Sequence, residues 1–169
     1  MSKYDIIIAI DPDVEESGVA RLNVATRDFE LYKMRFPRLI DYCANVAAAA
    51  VSLNKRMVVV IESGWKNRPN WHVQGRNARV AAAIGKQTGR NHEVGRLMVE
   101  MLEHHNVPVE LQMPLKKCWR GRDGKITDEE LKAFTGITGR TNQDQRDAAL
   151  LAWLFADLPI QIAKIRRFC

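Results

Sequence analysis

Apolar and polar positions along the chain alternate between short strand-like runs and longer helical segments. Three short runs, at residues 5–11, 17–25 and 28–36, are rich in Ile, Val and aromatic side chains and are separated by turn-like or polar breaks. Connections as short as these predict antiparallel neighbouring strands. Two further apolar runs, at residues 57–63 and 107–113, predict a fourth and a fifth strand.

The segments between and after these runs have the spacing of helices. An alanine-rich helix is expected from Pro37 to about Asn54, because proline is tolerated in the first turn. Residues 77–105 predict a longer helix, with a break or bend at its central sequence GKQTGRN. A capping signal at Thr127 predicts a short helix, and residues 144–155 predict another. The recurring apolar face of the long helix consists of Val80, Ile84, Leu97, Met98, Met101 and Leu102.

The order of these elements predicts an α/β fold in which helices cover both faces of a five-stranded mixed sheet. Strands joined by crossover helices run parallel, which applies to the first and fourth strands if they are neighbours. The chain has 169 residues, of which 46% are apolar, and its sequence contains no linker, repeat or low-complexity segment. We therefore expect one domain over residues 1–169, with a hydrophobic core of its own.

Two of the predicted strands end on an acidic residue. The apolar runs before Asp11 and before Glu62 have the composition of buried strands. A buried carboxylate is costly unless it is paired or holds a metal ion. Open α/β sheets also place their sites at the carboxyl ends of strands. If the first and fourth strands are parallel neighbours, Asp11 and Glu62 meet at one edge of the sheet.

The helix predicted at residues 144–155 adds two more acids near its first turn. Asp144 and Asp147 are three residues apart, so both side chains project from one face of the helix. The helix dipole also favours acids in a first turn, which would explain them without any site. Asp147 is followed at once by an apolar stretch, Ala148 to Leu151, that enters the core. A carboxylate at that boundary indicates a site.

The net charge of +6 is concentrated in the middle of the chain. Residues 63–126 hold 12 Lys and Arg against 5 Asp and Glu, whereas the charges before and after this segment nearly cancel. A concentrated basic region is the electrostatic footprint of a phosphate-backbone partner. A merely solvated basic face is the alternative, but the predominance of arginine and the interleaved tryptophans favour a nucleic acid.

Cysteine usage and the N-terminal sequence indicate the compartment. Cys43, Cys118 and Cys169 are too few and too scattered for a disulfide framework or a CxxC zinc site. The apolar stretch before Asp11 has only five residues, too short for a signal peptide or a membrane-spanning helix. We therefore expect a soluble cytoplasmic protein without a membrane partner, at the nucleoid or, for a viral protein, in the host cytoplasm.

Three short motifs, in this order and at these separations, resemble one family. IDPDVEESG, VIESGW and DQRDAALLA resemble the RuvC-type Holliday-junction resolvases of the RNase H-like superfamily. Members of that family typically read IDPG followed shortly by Ser/Thr-Gly, then an apolar strand ending in Glu. An acid or His, two residues, and Asp-Ala at a helix start complete the pattern. The resemblance spans residues 5–155 and implies an RNase H-like fold, although Asp13 stands where the family usually has glycine.

The resemblance implies an endodeoxyribonuclease whose catalytic and metal-binding residues are Asp11, Glu62, Asp144 and Asp147. Phosphodiester hydrolysis by two metals needs carboxylates that hold two divalent cations about 4 Å apart around the scissile phosphate. Hard oxygen ligands favour Mg²⁺ or Mn²⁺, two ions per active site. Asp11 would bridge the two ions, and Glu62 and Asp147 would complete their shells. Asp144 would bind metal or orient the attacking water.

Two basic segments near these acids are the expected DNA contacts. In residues 63–79, Trp65 and Trp71 lie among basic residues, and aromatic side chains stack on unpaired bases while basic ones hold the backbone. Trp71 also fits a position that caps the core. Trp65 stands where family members often carry an aromatic residue that probes the junction centre. The expected DNA-binding residues are Trp65, Lys66, Arg68, Arg76 and Arg79 in the first segment and Lys116, Lys117, Arg120, Arg122 and Lys125 in the second.

The sequence thus predicts a metal-dependent, structure-selective DNA endonuclease that resolves four-way junctions by paired cuts. Paired cuts need two active sites, so the resemblance implies a homodimer bound to branched DNA. The alternatives are another RNase H-like nuclease that acts on RNA/DNA hybrids or flap DNA, and a junction-binding protein without catalysis. An actin-like ATPase has a similar phosphate-binding turn, but that fold normally duplicates its domain, and 169 residues cannot hold both halves.

Overall fold

The structure is a computed structural model that describes residues 3–66 and 77–161. The strands in these ranges are β1 (Ile6–Asp11), β2 (Ser17–Asn23), β3 (Phe29–Met34), β4 (Met57–Glu62) and β5 (Val109–Gln112). The helices are α1 (Phe36–Ser52), α2 (Ala78–His104), α3 (Asp128–Thr135) and α4 (Gln143–Phe155). Each element occurs where the sequence predicts one, and the ends differ by at most two residues. None of the helices in the two described ranges has the length and apolar composition needed to cross a membrane.

The five strands form one mixed sheet with the order β3-β2-β1-β4-β5. β2 pairs antiparallel with β1 and with β3, as the short connections predict. β4 pairs parallel with β1 and with β5. The predicted α/β architecture with a five-stranded mixed sheet is confirmed, and so is the parallel pairing of the first and fourth strands. The C-terminal ends of β1 and β4 consequently lie side by side in the middle of the sheet.

Helices cover both faces because the central strands are apolar on both sides. Ile6, Ile8 and Ile10 of β1 belong to the buried cluster that packs against α1 and α2. Ile7 and Ala9 of the same strand belong to the buried cluster that packs against α4 on the opposite face. A strand that is buried on both faces loses its polar alternation, which accounts for the continuous apolar run before Asp11.

Helix α2 differs from the prediction in two respects. It continues without interruption through the sequence GKQTGRN, so the predicted break is wrong. Its predicted apolar face is also buried only in part, because residues 78–90 are almost entirely exposed and only the second half of the helix packs on the core. Of the six predicted face residues, Met98 and Leu102 are buried, whereas the exposed ones are Val80, Ile84, Leu97 and Met101.

Candidate active site

Three acidic side chains converge at the C-terminal edge of the parallel strands. Asp11 and Glu62 are the last residues of β1 and β4, and the residues before them, Ile10 and Ile61, are directly paired. Side chains alternate along a strand, and the residues two before each acid lie in the cluster under α4, so both carboxylates point to the α4 face. Asp147 of α4 lies on that face, and the three acids line one cavity of about 170 Å³.

Helix α4 reaches this edge because a glycine lies beneath its first turn. Gly18 pairs with Asp11 in the β1–β2 ladder, and a Cβ atom at Gly18 would lie 2.1 Å from the backbone oxygen of Asp144. Only a residue without a side chain permits so close an approach. The helix begins with a capping box, in which the side chains of Asn142 and Gln145 each accept a hydrogen bond from the other's backbone N–H. This start places the acids of the first turns next to β1.

Burial at this edge of the sheet changes the protonation of Asp11 and Glu62. Burial, followed by the charges of Glu62 and Asp147, raises the pKa of Asp11 to about 8. Burial and the charge of Asp147 also raise the pKa of Glu62, against the opposing charges of Lys125 and Lys117. A carboxyl with a pKa of about 8 is mostly protonated at pH 7, so Asp11 keeps its proton at neutral pH. The site without a bound cation therefore does not keep all of its acidic groups ionised at neutral pH.

Lys125 is the cation placed among these acids. Its ammonium group lies 2.7 Å from Oδ2 of Asp147, and Nε2 of Gln143 donates to Oδ1 of Asp147 at 2.6 Å. Burial lowers the pKa of Lys125, but the hydrogen bond to Asp147 and the charge of Asp147 outweigh it, so the pKa is raised overall. Both oxygens of Asp147 are therefore engaged. A residue predicted as a DNA contact is thus also part of the acid cluster.

Asp144 lies at the rim of this cluster rather than within it. Its Oδ2 forms an ion pair with Nζ of Lys33 on β3 at 3.0 Å, and the two side chains are 37% and 36% exposed. The hydrogen bond from Lys33 to Asp144 raises the pKa of Lys33. Asp144 does not line the cavity that holds the other three acids. The four predicted acids therefore divide into a cluster of three and one neighbour.

The loop between β5 and α3 covers the cavity with basic side chains. Lys116, Lys117 and Lys125 line it, as expected for a segment that holds a phosphate near the acids. Arg120 and Arg122 lie outside the lining, and the Nε atom of each has an acidic neighbour, at 3.9 Å and 3.8 Å respectively. The five basic residues predicted as DNA contacts in this loop thus comprise three at the acid cluster and two beyond it.

A buried carboxylate fixes the shape of this loop. Glu130 of α3 is 5% exposed and accepts hydrogen bonds from the backbone N–H of Arg120 at 3.2 Å and of Thr127 at 3.0 Å. Gly124 has a φ of +73°, and a Cβ atom there would lie 2.7 Å from the backbone oxygen of Lys117. Glycine is therefore required at this turn. The loop is closely folded, which holds the lysines against the cavity.

Trp65 packs against α2 at the end of β4. It lies in a short 3-10 turn, Gly64–Lys66, and a Cβ atom at Gly95 would lie 2.3 Å from its Cζ3 atom. Its ring meets that of His92 edge-on, with the centroids 6.5 Å apart. Trp65 is half-buried against the core and also lines a second cavity, of about 350 Å³, beside the acids. Its packing resembles that of a residue that caps the core, and its role as a junction probe stays a prediction.

The remaining predicted DNA contacts of the first basic segment lie near or within residues 67–76, which the structure does not describe. Lys66 and Arg79 are exposed on either side of it. Arg68, Arg76 and Trp71 lie between the two described ranges, outside the described residues. The DNA-binding role of this segment stays a prediction.

Three residues of the site were missed by the sequence reasoning. Gln143 precedes Asp147 by one helical turn, and that spacing could have identified it as a partner of the acid. Lys33 on β3 and Asn91 on α2 are distant from the acids in sequence, and no local pattern distinguishes them. Asn91 donates its Nδ2 to Oδ2 of Asp13 at 3.2 Å. Asp13 thus contacts α2, and it does not line the acid cavity.

The cluster fits a divalent cation in donor type, although it is not arranged around one. Within residues 3–66 and 77–161, no group of three or more His, Cys, Asp or Glu side chains is placed so that it could hold a metal ion. At Asp147, both oxygens are taken up by Lys125 and Gln143. The carboxylates of Asp11 and Glu62 are hard oxygen donors, and a cation would counter the burial and the neighbouring acids that raise the pKa of Asp11. A metal ion at this site would require Asp147 to exchange its contact with Lys125 for the ion.

Comparison with known proteins gave matches among solved structures only. No protein-family model matches the chain, and no curated protein sequence matches it significantly. Among solved structures, the chain is similar to T. thermophilus RuvC in complex with a Holliday junction substrate, with 17% sequence identity and a TM-score of 0.49. The similarity covers 87% of this chain and 90% of that one. This similarity assigns no activity to the carboxylates, so their chemistry is argued from the side chains of this chain alone.

Proposed function

We propose that this protein is a metal-dependent endonuclease that cuts branched DNA at four-way junctions. The observation that carries this proposal is the convergence of Asp11, Glu62 and Asp147 on one cavity that is also lined by lysines. Acids buried together disfavour each other's charge. Phosphodiester hydrolysis, however, needs such a set to hold divalent cations beside the scissile phosphate. An arrangement that is costly for folding and suited to phosphate chemistry is typical of an active site.

Asp11, Glu62 and Asp147 would hold the metal, and oxygen donors of this kind prefer Mg²⁺ or Mn²⁺. Two such ions would supply a nucleophilic water at neutral pH and would neutralise charge on the phosphate. Asp11 would lose its proton when the site is loaded, because a nearby cation favours the ionised carboxyl. Asp144 would act from the rim, either on the metal or on the attacking water.

The lysines that line the cavity would bind the phosphate. Lys117 lines both the acid cavity and the second cavity, to which Asp11, Glu62 and Trp65 also contribute. Lys125 would exchange Asp147 for a phosphate oxygen when the metal is bound. Lysine suits such an exchange because its ammonium group is a compact charge on a flexible stem. Lys116 would contribute a further backbone contact.

The homodimer is proposed to form through the first half of α2. Val80 and Ile84 are 47% and 41% exposed in this segment. Apart from the neighbouring backbone of α2 itself, no atom of the described residues lies within 4 Å of a Cβ atom built at Gly85 or at Gly89. Exposed apolar side chains next to glycines permit close approach of a second helix, and two copies would supply the acid clusters for paired cuts. Light scattering should give a dimer for the wild-type protein and a monomer for Ile84→Glu, whereas a wild-type monomer with DNA present overturns the dimer.

The proposed activity is tested with four labelled substrates. A four-way junction, a matching duplex, a flap and an RNA/DNA hybrid are each incubated with the protein in Mg²⁺ or in EDTA. Symmetric cutting of the junction in Mg²⁺ alone is the expected result. Preferential cutting of the hybrid or the flap would select the alternative RNase H-like nuclease. Tight junction binding without cutting in Mg²⁺ or Mn²⁺ would select a non-catalytic binding protein.

A further inference from the structure

The turn that follows Asp11 is tied to helix α2 by one side chain. Nδ2 of Asn91 donates to Oδ2 of Asp13 at 3.2 Å, and Oδ1 of Asn91 accepts the backbone N–H of Val14 at 3.2 Å. The partners are separated by 78 and 77 positions in the sequence. The amide of Asn91 thus uses both its donor and its acceptor to bridge two consecutive residues of the turn.

The rest of this turn is held by hydrogen bonds of its own. The N–H of Asp13 donates to Oγ of Ser17 at 3.0 Å, and the Ser17 hydroxyl donates to the backbone oxygen of Asp13 at 3.2 Å. The N–H of Glu15 donates to Oδ1 of Asp13 at 2.9 Å. One carboxylate oxygen of Asp13 therefore organises the turn, and the other connects it to α2. Movement of this compact turn against α2 would be transmitted to Asp11, two residues earlier.

We propose that Asn91 is a positioning residue for Asp11 and acts through Asp13 and Val14. The inference rests on the proposed function, in which Asp11 is a metal ligand. Groups behind a metal ligand hold it in place, and their loss typically weakens metal binding 10- to 100-fold. Asn91 lines the second cavity together with Asp11, so the contact lies at the border of the acid cluster. Asp13 stands where the family that the motifs resemble usually has glycine, and in this chain its side chain accepts the hydrogen bond from Asn91.

The first test measures metal binding without cleavage. Thermal unfolding in a series of Mg²⁺ concentrations gives the concentration at which half of the metal-induced rise in melting temperature is reached. For Asn91→Leu, which keeps the volume but removes both hydrogen bonds, this concentration should rise about 10-fold. Gln87→Leu is the matched control, because Nε2 of Gln87 donates to Oδ1 of Asn91 at 3.4 Å without contacting the turn. Its half-effect concentration should stay within about twofold of the wild-type value.

The second test exchanges the two polar side chains. Asn91→Asp places two carboxylates face to face and should weaken Mg²⁺ binding at least as much as Asn91→Leu does. Adding Asp13→Asn restores an amide–carboxylate pair with the original total charge, and the carboxylate at position 91 still accepts from Val14. The double variant should return the half-effect concentration to within about twofold of the wild-type value.

The outcomes separate this inference from the proposed function. A wild-type protein whose melting temperature does not respond to Mg²⁺ or Mn²⁺ overturns both, because Asp11 is then no metal ligand. A wild-type response that Asn91→Leu leaves unchanged overturns the positioning role alone. A fall in melting temperature that is the same with and without Mg²⁺ assigns Asn91 to folding only and also overturns it. Failure of the double variant to recover shows that the two side chains do not act as a pair, which contradicts the proposed contact.

Discussion

Replacing Asp11 with Asn should stabilise the metal-free protein while it removes cleavage. The carboxyl of Asp11 is buried and faces Glu62 and Asp147, which raises its pKa to about 8 from an ordinary value of 3.8. An amide is similar in shape to the protonated carboxyl and never ionises. The substitution therefore removes the cost of a charge that the metal-free site cannot accommodate.

The size and the pH dependence of this effect follow from linkage. Below pH 3.8 the carboxyl is protonated in both states, so the favourable contribution of the folded environment is fully present. Between pH 3.8 and about 8 the unfolded chain is ionised and the folded protein is not, so stability is lost as the pH rises through this range. At about 1.36 kcal/mol for each pH unit, the full loss is on the order of 5 kcal/mol. Because proteins relax around buried charges, we expect about 3 kcal/mol.

Urea unfolding in EDTA at pH 4 and at pH 8 measures this effect. The variant and the wild-type protein should be nearly equal at pH 4. At pH 8, Asp11→Asn should be more stable by about 3 kcal/mol, which corresponds to roughly 6–12 °C in melting temperature for a chain of this size. Asp41→Asn on the exposed surface of α1 is the matched control and should change little at either pH. Mg²⁺ should stabilise the wild-type protein and have little effect on Asp11→Asn.

One result would refute this reasoning. If Asp11→Asn were less stable than the wild-type protein at pH 8 in EDTA, the carboxyl would be favourably paired in the folded state. The convergence of acids would then be a structural network and would not indicate a metal site.

Three further substitutions test other contacts of the site. Lys125→Met leaves Asp147 without its ammonium partner, so the free energy of unfolding in EDTA should fall by about 1–2 kcal/mol. Mg²⁺ should then stabilise this variant more than it stabilises the wild-type protein. Equal responses to Mg²⁺ would contradict the exchange of lysine for metal. Gly18→Ala should displace the start of α4 and lower both the melting temperature and the Mg²⁺ response, and unchanged values would contradict the close approach of α4 to β2. Trp65→Ala should lower the melting temperature because the ring packs against α2. If Trp65 also probes the junction, its loss should weaken junction binding by about 1–3 kcal/mol more than duplex binding, and an unchanged ratio excludes that role.

The architecture could be predicted because its signals are local. The apolar runs of β1 and β4 are buried on both faces, and the short turns around β2 leave only antiparallel pairing. The acids at the ends of β1 and β4 could be predicted to meet, since parallel pairing aligns the ends of neighbouring strands. The capping box at Thr127 was likewise readable, and it is present in the structure.

The details of the site depend on contacts between distant residues. The approach of Lys125 to Asp147 requires a loop shaped by the buried Glu130, which no local pattern reveals. The contact of Asn91 with Asp13 joins residues 78 positions apart. The glycines in the middle of α2 suggested a break, but glycine lowers helix stability by only about 1 kcal/mol relative to alanine, and the packed second half continues the helix. The helix therefore runs through these exposed glycines, whose local signal is too weak to end it.

Metal-dependent junction cleavage is tested most directly in a complex formed before the metal is added. Wild-type protein and Asp11→Asn are each bound to a labelled four-way junction in EDTA, and cleavage is started with excess Mg²⁺. The wild-type protein should cut two opposing strands at symmetric positions, whereas Asp11→Asn should bind the junction with similar affinity and leave it intact. Cutting by Asp11→Asn at the wild-type rate, or a wild-type complex that stays uncut in Mg²⁺ and in Mn²⁺, would contradict the assignment of the carboxylate cluster as the catalytic metal site.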